Sequence, residues 1–412
     1  MGKTGRRLGG ALAVPLMMVL VACGTSDGPD KSGKKDQRPQ LALAVTPAEN
    51  AQNVPVSTEV GVQVSNGKVS EVTLVDDQNK PVPGSMRPDG TSWVPDEPLK
   101  HKKTYMATVT ATGEDGTSQS KTTTFTTMPE PRSRMTTSLS LTDGGTFGQA
   151  MPIVVEFDRE IPESARKDVE RRLFVTTEPP QPGAWGWYTG RQVLYRPQNY
   201  WQPGTKITVR SALGGHPLGG NVYGDTDRRA TATISDTRTL LEVDNATKKM
   251  TVYQNDRPIR QMPVSLGKPS TPSSSGHMVI MSQERHTIFD TMNDPNPANR
   301  YRVPVEYAMR LTWGGEYIHS APWSVYDQGR RNVSHGCVNL SPSNAAWLFS
   351  VTKIGDPVVV KGTEVRLDPG NGWTGWDVSW EQHLKRSALP QAAPADAAAA
   401  PTPPPPSPSP GD

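Results

Sequence analysis

Apolar and polar residues alternate with a period of two through most of this chain. Val60, Val62 and Val64 alternate with Glu59, Gly61, Gln63 and Ser65. Tyr105, Ala107, Val109 and Ala111 alternate with Thr104, Thr108, Thr110 and Thr112. Side chains two apart share one face of a strand, so the pattern predicts half-buried strands. Turn clusters separate them, Asp76-Asp77-Gln78-Asn79 and Pro88-Asp89-Gly90 among them. Residues 42–130 therefore read as an antiparallel β-sandwich, without the Cys pair of an antibody-type domain. Residues 131–238 repeat the plan, with Ile153, Val155 and Phe157 set against Glu156 and Asp158. One insertion, 163–173, has helical character after Pro162. Trp185, Trp187, Tyr188 and Trp201 read as core and corner aromatics, with glycan contact as the competing reading. Both sandwiches read as spacers more readily than as binding modules.

Residues 239–365 carry further strands, at 240–243, 250–253, 278–281 and 358–360. A helix is expected from Pro342, capped by Ser341 or Ser343 and stopping at Gly355. The stretch 290–307 is rich in Asn, Pro and Arg, and a segment of that length suggests a functional lid. Residues 366–387 form a small appendage whose Trp373, Trp376 and Trp380 are expected to pack on the domain before it. Residues 388–412 hold nine Pro and eight Ala, the composition of a disordered or polyproline-like spacer. The fold class is mainly β, with few short helices.

Length and charge sharpen this picture. At 412 residues the chain exceeds one ordinary domain. No long apolar run follows the N-terminus, which excludes a multi-pass helical membrane protein. Lys3, Arg6 and Arg7 precede an apolar stretch at 8–22 that ends Leu20-Val21-Ala22-Cys23-Gly24. This resembles a bacterial lipobox, with 1–22 as signal peptide and Cys23 lipidated as the mature N-terminus. An ordinary signal peptide with a chance Cys is the competing reading. A membrane anchor fits less well, because the run is short and holds Pro15. Residues 23–41 read as a flexible tether. The expected location is the outer face of the cytoplasmic membrane, lipid-anchored and facing the cell wall. The formal charge of +3 comes from 44 basic and 41 acidic residues. Removing the three basic residues of 1–22 leaves 41 against 41, so net charge gives no argument for a nucleic-acid partner. Lipidation of Cys23 would leave Cys337 as the only free thiol of an exported chain.

Cys337 stands in a segment built for nucleophilic chemistry. His319-Ser320-Ala321-Pro322-Trp323 is followed by Ser334-His335-Gly336-Cys337-Val338-Asn339. A thiol nucleophile needs a base, donors for an oxyanion, and access. His319 can be the base. Consecutive N–H groups of His335, Gly336 and Cys337 can converge on a carbonyl oxygen, and Gly336 gives the backbone freedom to do so. An imidazolium neighbour is expected to lower the thiol from about 8.5 into the range of roughly 3.5–7.5. Two other readings stay open: His319, His335 and Cys337 as zinc ligands, or a buried structural thiol with two core histidines.

The motif resembles the L,D-transpeptidase (YkuD) catalytic domain, in which a His is followed by Ser/Thr-His-Gly-Cys, a hydrophobic residue, and Asn or Arg. The resemblance runs over roughly 240–385. It extends to the mycobacterial and actinobacterial lipoprotein members, which place two immunoglobulin-like domains before the catalytic one. It implies Cys337 as acylated nucleophile, His319 as general base and acid, and the Ser320 carbonyl orienting His319. His335, Gly336 and Cys337 would form the oxyanion hole. Tyr301 would be the lid tyrosine, Gly314 and Gly315 would line the substrate channel, Trp323 would form its wall, and Asn339 would contact substrate. Some relatives carry a calcium loop. The stretch 216–221 here lacks its carboxylates, so neither metal nor cofactor is expected.

The implied activity is acyl transfer on peptidoglycan stem peptides, forming 3→3 cross-links through a Cys337 thioester. Carbapenem β-lactams are the expected covalent inhibitors. A hydrolase or a protein-anchoring enzyme would share the acyl-enzyme and differ in the acceptor. A non-enzymatic wall-binding lipoprotein would require an incomplete site.

Overall fold

The structure, a computed structural model, describes residues 40–390 apart from 296, 298 and 299. The expected signal peptide, Cys23, nearly all of the tether and the Pro/Ala segment from 391 onward lie outside the described residues.

The period-two segments form two stacked pairs of sheets. In the first sandwich, one sheet has the order Ala42–Thr46, Val60–Ser65, Ser92–Pro95, Gly84–Met86. The other runs Ala51–Val54, Ser118–Thr127, Thr104–Gly113, Gly67–Asp76. Ala107, Val109 and Ala111 are fully buried between them. The alternate threonines face outward and bond across the hairpin, Thr108 to Thr122 at 3.0 Å and Thr110 to Ser120 at 2.9 Å. Such cross-strand pairs fix register on the solvent face.

The second sandwich faces Thr137–Leu139, Ile153–Phe157, Gln192–Pro197 and Gly183–Thr189 against Thr146–Phe147, Arg228–Ile234, Lys206–Ser211 and Leu173–Glu178. The expected helix is Glu163–Glu170. Trp185, Trp187, Tyr188 and Trp201 are all buried in this core. The Trp201 indole N–H donates to the Met151 carbonyl at 2.6 Å, so its one polar atom is satisfied.

A charged knot joins the two sandwiches. Glu59 of the first accepts from Arg87 at 2.5 Å and from Arg172 of the second at 2.6 Å, and Ser92 also donates to it. Burial alone would raise the Glu59 carboxyl, but the Arg87 hydrogen bond and the Arg172 charge outweigh it and hold it at about 2.

Beyond Thr239 the chain builds two sheets around one core. The six-stranded sheet has the order Arg257–Pro263, Lys249–Gln254, Thr239–Asp244, Pro357–Lys361, Ser274–Val279, Val365–Arg366. The four-stranded sheet has the order Ser282–Asp290, Arg302–Arg310, Tyr317–Ser320, Val338–Leu340. Leu241, Val243, Val358 and Val360 of the first meet Ile318, Val338 and Leu340 of the second, with Leu348 of the helix Pro342–Val351 in the same cluster. Ser341 caps that helix by accepting from the Asn344 N–H at 3.3 Å. It stops at Val351 rather than at Gly355, because Thr352 is already extended (φ −100°, ψ 161°).

Within the stretch 290–307, Asp290 and residues 302–307 are strand, since Arg302–Arg310 pairs antiparallel with Ser282–Asp290 from Arg302↔Asp290 to Arg310↔Ser282. The appendage packs on the domain immediately before it, where Asn371 accepts from the Gly314 N–H at 2.7 Å and Asp377 from the His277 N–H at 2.8 Å, and also on the second sandwich. Trp376 donates to the Ala150 carbonyl at 2.8 Å and meets Tyr200 edge-on at 4.6 Å. The Arg196 guanidinium lies over Trp376 at 4.6 Å and over Trp380 at 5.2 Å. Trp373, Val279 and Met281 belong to the same apolar cluster as the second sandwich core.

Removing Glu59 leaves Arg172, 6% exposed, without its counter-charge. Glu59→Ala should therefore cost about 3–5 kcal/mol, read as a lowered urea midpoint. Glu59 titrates lower folded than unfolded, so its stabilisation is present above 4.5 and is lost as pH falls toward about 2. A Glu59→Gln protein should show a smaller loss of stability across that window than wild type. Equal losses would count against the knot.

Candidate active site

Two short strands position Cys337 and His319. Tyr317–Ser320 and Val338–Leu340 pair in parallel, with Ile318↔Val338, His319↔Asn339 and Ser320↔Leu340 in register. Cys337 thus enters the sheet one residue before Val338, beside the strand that carries His319. The segment between them is pinned from within. Asn339 donates to the Ser324 hydroxyl at 3.1 Å, and Gln328 donates to the same hydroxyl at 3.3 Å and to the Ala321 carbonyl at 3.4 Å.

His319 is 3% exposed, and its Nδ1 lies 2.8 Å from the Ser320 carbonyl. A carbonyl is only an acceptor, so Nδ1 carries the proton and Nε2 is left with its lone pair. Phe289 stands edge-on to the imidazole at 5.0 Å, and the Trp323 ring lies 6.0 Å from it. Burial lowers the imidazole to about 4, against the raising effect of the Ser320 and Asn339 contacts.

Cys337 is also buried. Its Sγ lies 3.7 Å from the Gly315 carbonyl and receives the Tyr317 backbone N–H. Burial pushes the thiol up to about 12. The expectation of a lowered thiol is therefore corrected: the resting site holds a neutral thiol beside a neutral imidazole. Desolvation disfavours thiolate and imidazolium alike.

The Ser-His-Gly-Cys turn is braced by the segment 265–274. Ser334 Oγ accepts from the Gly336 N–H at 3.1 Å and donates to the Cys337 carbonyl at 2.6 Å. The Ser273 hydroxyl donates to the Gly336 carbonyl at 2.6 Å. Gly336 has φ +121°, a conformation that side chains other than hydrogen strain. Its N–H is thus committed to Ser334, which corrects its expected place as an oxyanion donor. His335 is exposed; Lys268 Nζ lies 3.0 Å from its Nε2, and Tyr301 packs on its ring at 5.3 Å. The zinc arrangement is not formed, since no three His, Cys, Asp or Glu side chains converge as metal ligands among the described residues.

The remaining expected residues surround this centre. Tyr301 follows the tip of the long hairpin, and burial raises its phenol above the ordinary value. Gly315 borders Cys337 through its carbonyl, while Gly314 is held by Asn371 at 2.7 Å. Trp323 is 57% exposed and, with Ile288, Pro304, Ser320 and Pro322, lines a cavity of about 520 Å³. Asn339 is buried at the strand crossing rather than lining open space. A larger cavity, about 780 Å³, lies between the second sandwich, the appendage and the six-stranded sheet, and contains none of these residues. Motif reading missed Ser273, Ser274, Lys268, Phe289 and Glu316, which reach the site from other strands and turns.

The chain is similar to known proteins along most of its length. Residues 238–360 match the L,D-transpeptidase catalytic domain, and residues 51–217 match a bacterial Ig domain. L,D-transpeptidase 2 of Mycobacterium tuberculosis is 35% identical over 381 residues, covering 89% of this chain and 91% of its own. The chain belongs to the L,D-transpeptidase family. L,D-transpeptidase 5 of the same species is 32% identical, covering 92% of this chain and 84% of its own. A solved LD transpeptidase in complex with imipenem is 34% identical, covering 57% of this chain and all of that one, with a TM-score of 0.46. Immunoglobulin-like domains followed by a YkuD domain are thus the architecture of this L,D-transpeptidase, as its sequence implied.

The raised Cys337 thiol makes a kinetic prediction. Alkylation of Cys337 by iodoacetamide should stay slow through pH 9, where an ordinary thiol is half ionised, and rise toward about 12. Peptide mass spectrometry across pH measures it, and fast labelling at pH 7 would contradict the neutral pair.

Proposed function

We propose that this L,D-transpeptidase forms 3→3 peptidoglycan cross-links through a Cys337 thioester. The observation that supports this most is the locked tautomer of His319. With Nδ1–H given to Ser320, Nε2 is free to take the Sγ proton as sulfur attacks the carbonyl of the third residue of a tetrapeptide stem. Proton transfer and C–S bond formation go together, because a bare thiolate is disfavoured in this burial. The N–H groups of His335 and Cys337 hold the oxyanion, and Gly336 contributes the turn that aims them. His319 returns the proton to the leaving D-Ala nitrogen. The side-chain amine of a diamino acid on a second stem then replaces sulfur. Tyr301 covers the thioester, and Trp323 walls the adjoining cavity, which limits access of water. Asn339 serves by holding His319 and Ser324 in place. Carbapenems would acylate the same sulfur.

Incubation with a disaccharide-tetrapeptide donor should add one acyl group to Cys337, released on adding an amine acceptor as a 3→3 dimer. Cys337→Ala should form neither that adduct nor one with imipenem. Intact-mass spectra decide: an unmodified wild type, or an adduct that persists in the variant, sinks the reading. Dominant hydrolysis under saturating acceptor would make the enzyme an L,D-carboxypeptidase instead.

The lipobox supports a further proposal, that Cys23 anchors the enzyme to the outer face of the cytoplasmic membrane. A fatty-acid click label fed to expressing cells should enter the wild type and be absent from Cys23→Ala. Equal labelling of the two would refute it.

A further inference from the structure

One ionisable side chain beside the nucleophile has no part in the chemistry above. Glu316 stands between Gly315, whose carbonyl meets Sγ, and Tyr317, whose N–H donates to Sγ. A Cβ on Gly336 would find only one neighbour within 4 Å, the Glu316 Cγ at 3.6 Å. The Glu316 side chain therefore lies along the open face of the residue before Cys337. One carboxyl oxygen, Oε1, is fixed by the Ser274 N–H at 3.1 Å and the Ser274 hydroxyl at 2.8 Å. The carboxyl makes no other hydrogen bond among the described residues. This is a half-buried acid, clamped through one oxygen, beside the two residues whose backbone meets the sulfur.

Its charge works against the first half of the reaction. Glu316 is one of the groups that raise the Cys337 thiol, since two anions in one desolvated site oppose each other. An acid in that place has a use in the second half. The acceptor arrives as an ammonium, because a side-chain amine has a pKa near ~10.4. It must shed two protons to become an amide. His319 handles one of them: it takes the proton from the nitrogen in the tetrahedral intermediate and passes it to the departing sulfur. The other must leave before attack, because an ammonium has no lone pair. The resting imidazole sits at about 4 and is a poor home for it. Once sulfur is acylated, no thiolate can form to oppose the Glu316 charge.

We propose that Glu316 receives the acceptor's ammonium and takes this first proton, so that it selects an amine over water as the thioester's acceptor. The step balances: ammonium and carboxylate become amine and carboxylic acid, the amine lone pair forms the C–N bond, the C–S bond breaks, and the thiol is regenerated through His319. The acid then returns its proton to solvent. Ser274 is the positioning residue that turns the carboxyl toward the sulfur. The inference rests on the acyl-transfer reading above.

Glu316→Gln keeps an oxygen for Ser274 and removes the charge. The full chain is acylated with the disaccharide-tetrapeptide, and partitioning of the thioester between hydrolysis and aminolysis is followed against acceptor-stem concentration. Thermal melting and imipenem adduct formation report whether fold and nucleophile are intact. The expected result is acylation at least as fast as wild type, unchanged hydrolysis, and about a tenfold or greater rise in half-saturating acceptor. An unchanged acceptor dependence overturns the inference. So does loss of acylation in a variant that melts like wild type, because Glu316 would then serve the first half-reaction. A wild type that forms no thioester at all would instead strike the acyl-transfer reading on which the inference rests.

Discussion

Parallel pairing of two very short strands is the constraint on which the rest of the site depends. Tyr317–Ser320 and Val338–Leu340 share three register pairs, little for a pairing that carries the reaction. Parallel strands cannot be joined by a tight turn and need a crossover. Here the crossover spans residues 321–337 and includes the short 3-10 turn Pro322–Ser324. Its buried polar atoms are bonded inward, through Ser324, Gln328 and Asn339. Had they been left unpaired, each would have cost about 1–3 kcal/mol. Satisfied, they make the crossover a rigid spacer, and the spacing of base and nucleophile follows from it.

The same burial that fixes the geometry fixes the charge state. A site with a thiol near 12 and an imidazole near 4 is unreactive toward stray electrophiles. In the proposed reaction, reactivity would come from the substrate, whose carbonyl oxygen would gain charge as the thiol loses its proton.

The sandwiches were legible because a strand with one wet face writes its burial into every second residue. Ala107, Val109 and Ala111 against their threonines are the plainest case. The nucleophile was legible for a different reason. Ser334 to Cys337 must be contiguous to form one turn, so the turn survives as a motif. Ser273, Ser274 and Glu316 were not legible, since they meet that turn from remote segments and no spacing rule links them. The appendage was half legible. Three tryptophans announce a buried surface, but an indole does not say which neighbour it will cover, and Arg196 and Tyr200 of the second sandwich made that choice. The strand Arg302–Arg310 was hidden by the Asn- and Pro-rich tip ahead of it, although Val303, Val305 and Tyr307 kept the alternation.

The return of the chain to the second sandwich has a mechanical side. Polypeptide leaves that sandwich once, at the start of Thr239–Asp244, and comes back through the appendage, where the Arg386 carbonyl accepts the Trp187 N–H at 2.9 Å. Ala388 closes the path on Glu170 at 2.8 Å. The catalytic domain is thus held at two ends, like a shackle rather than a flag on a pole. Torque applied to it is shared between two attachments and an apolar core. Neither attachment alone can act as a swivel, so the angle between the catalytic domain and the second sandwich is set by the fold itself.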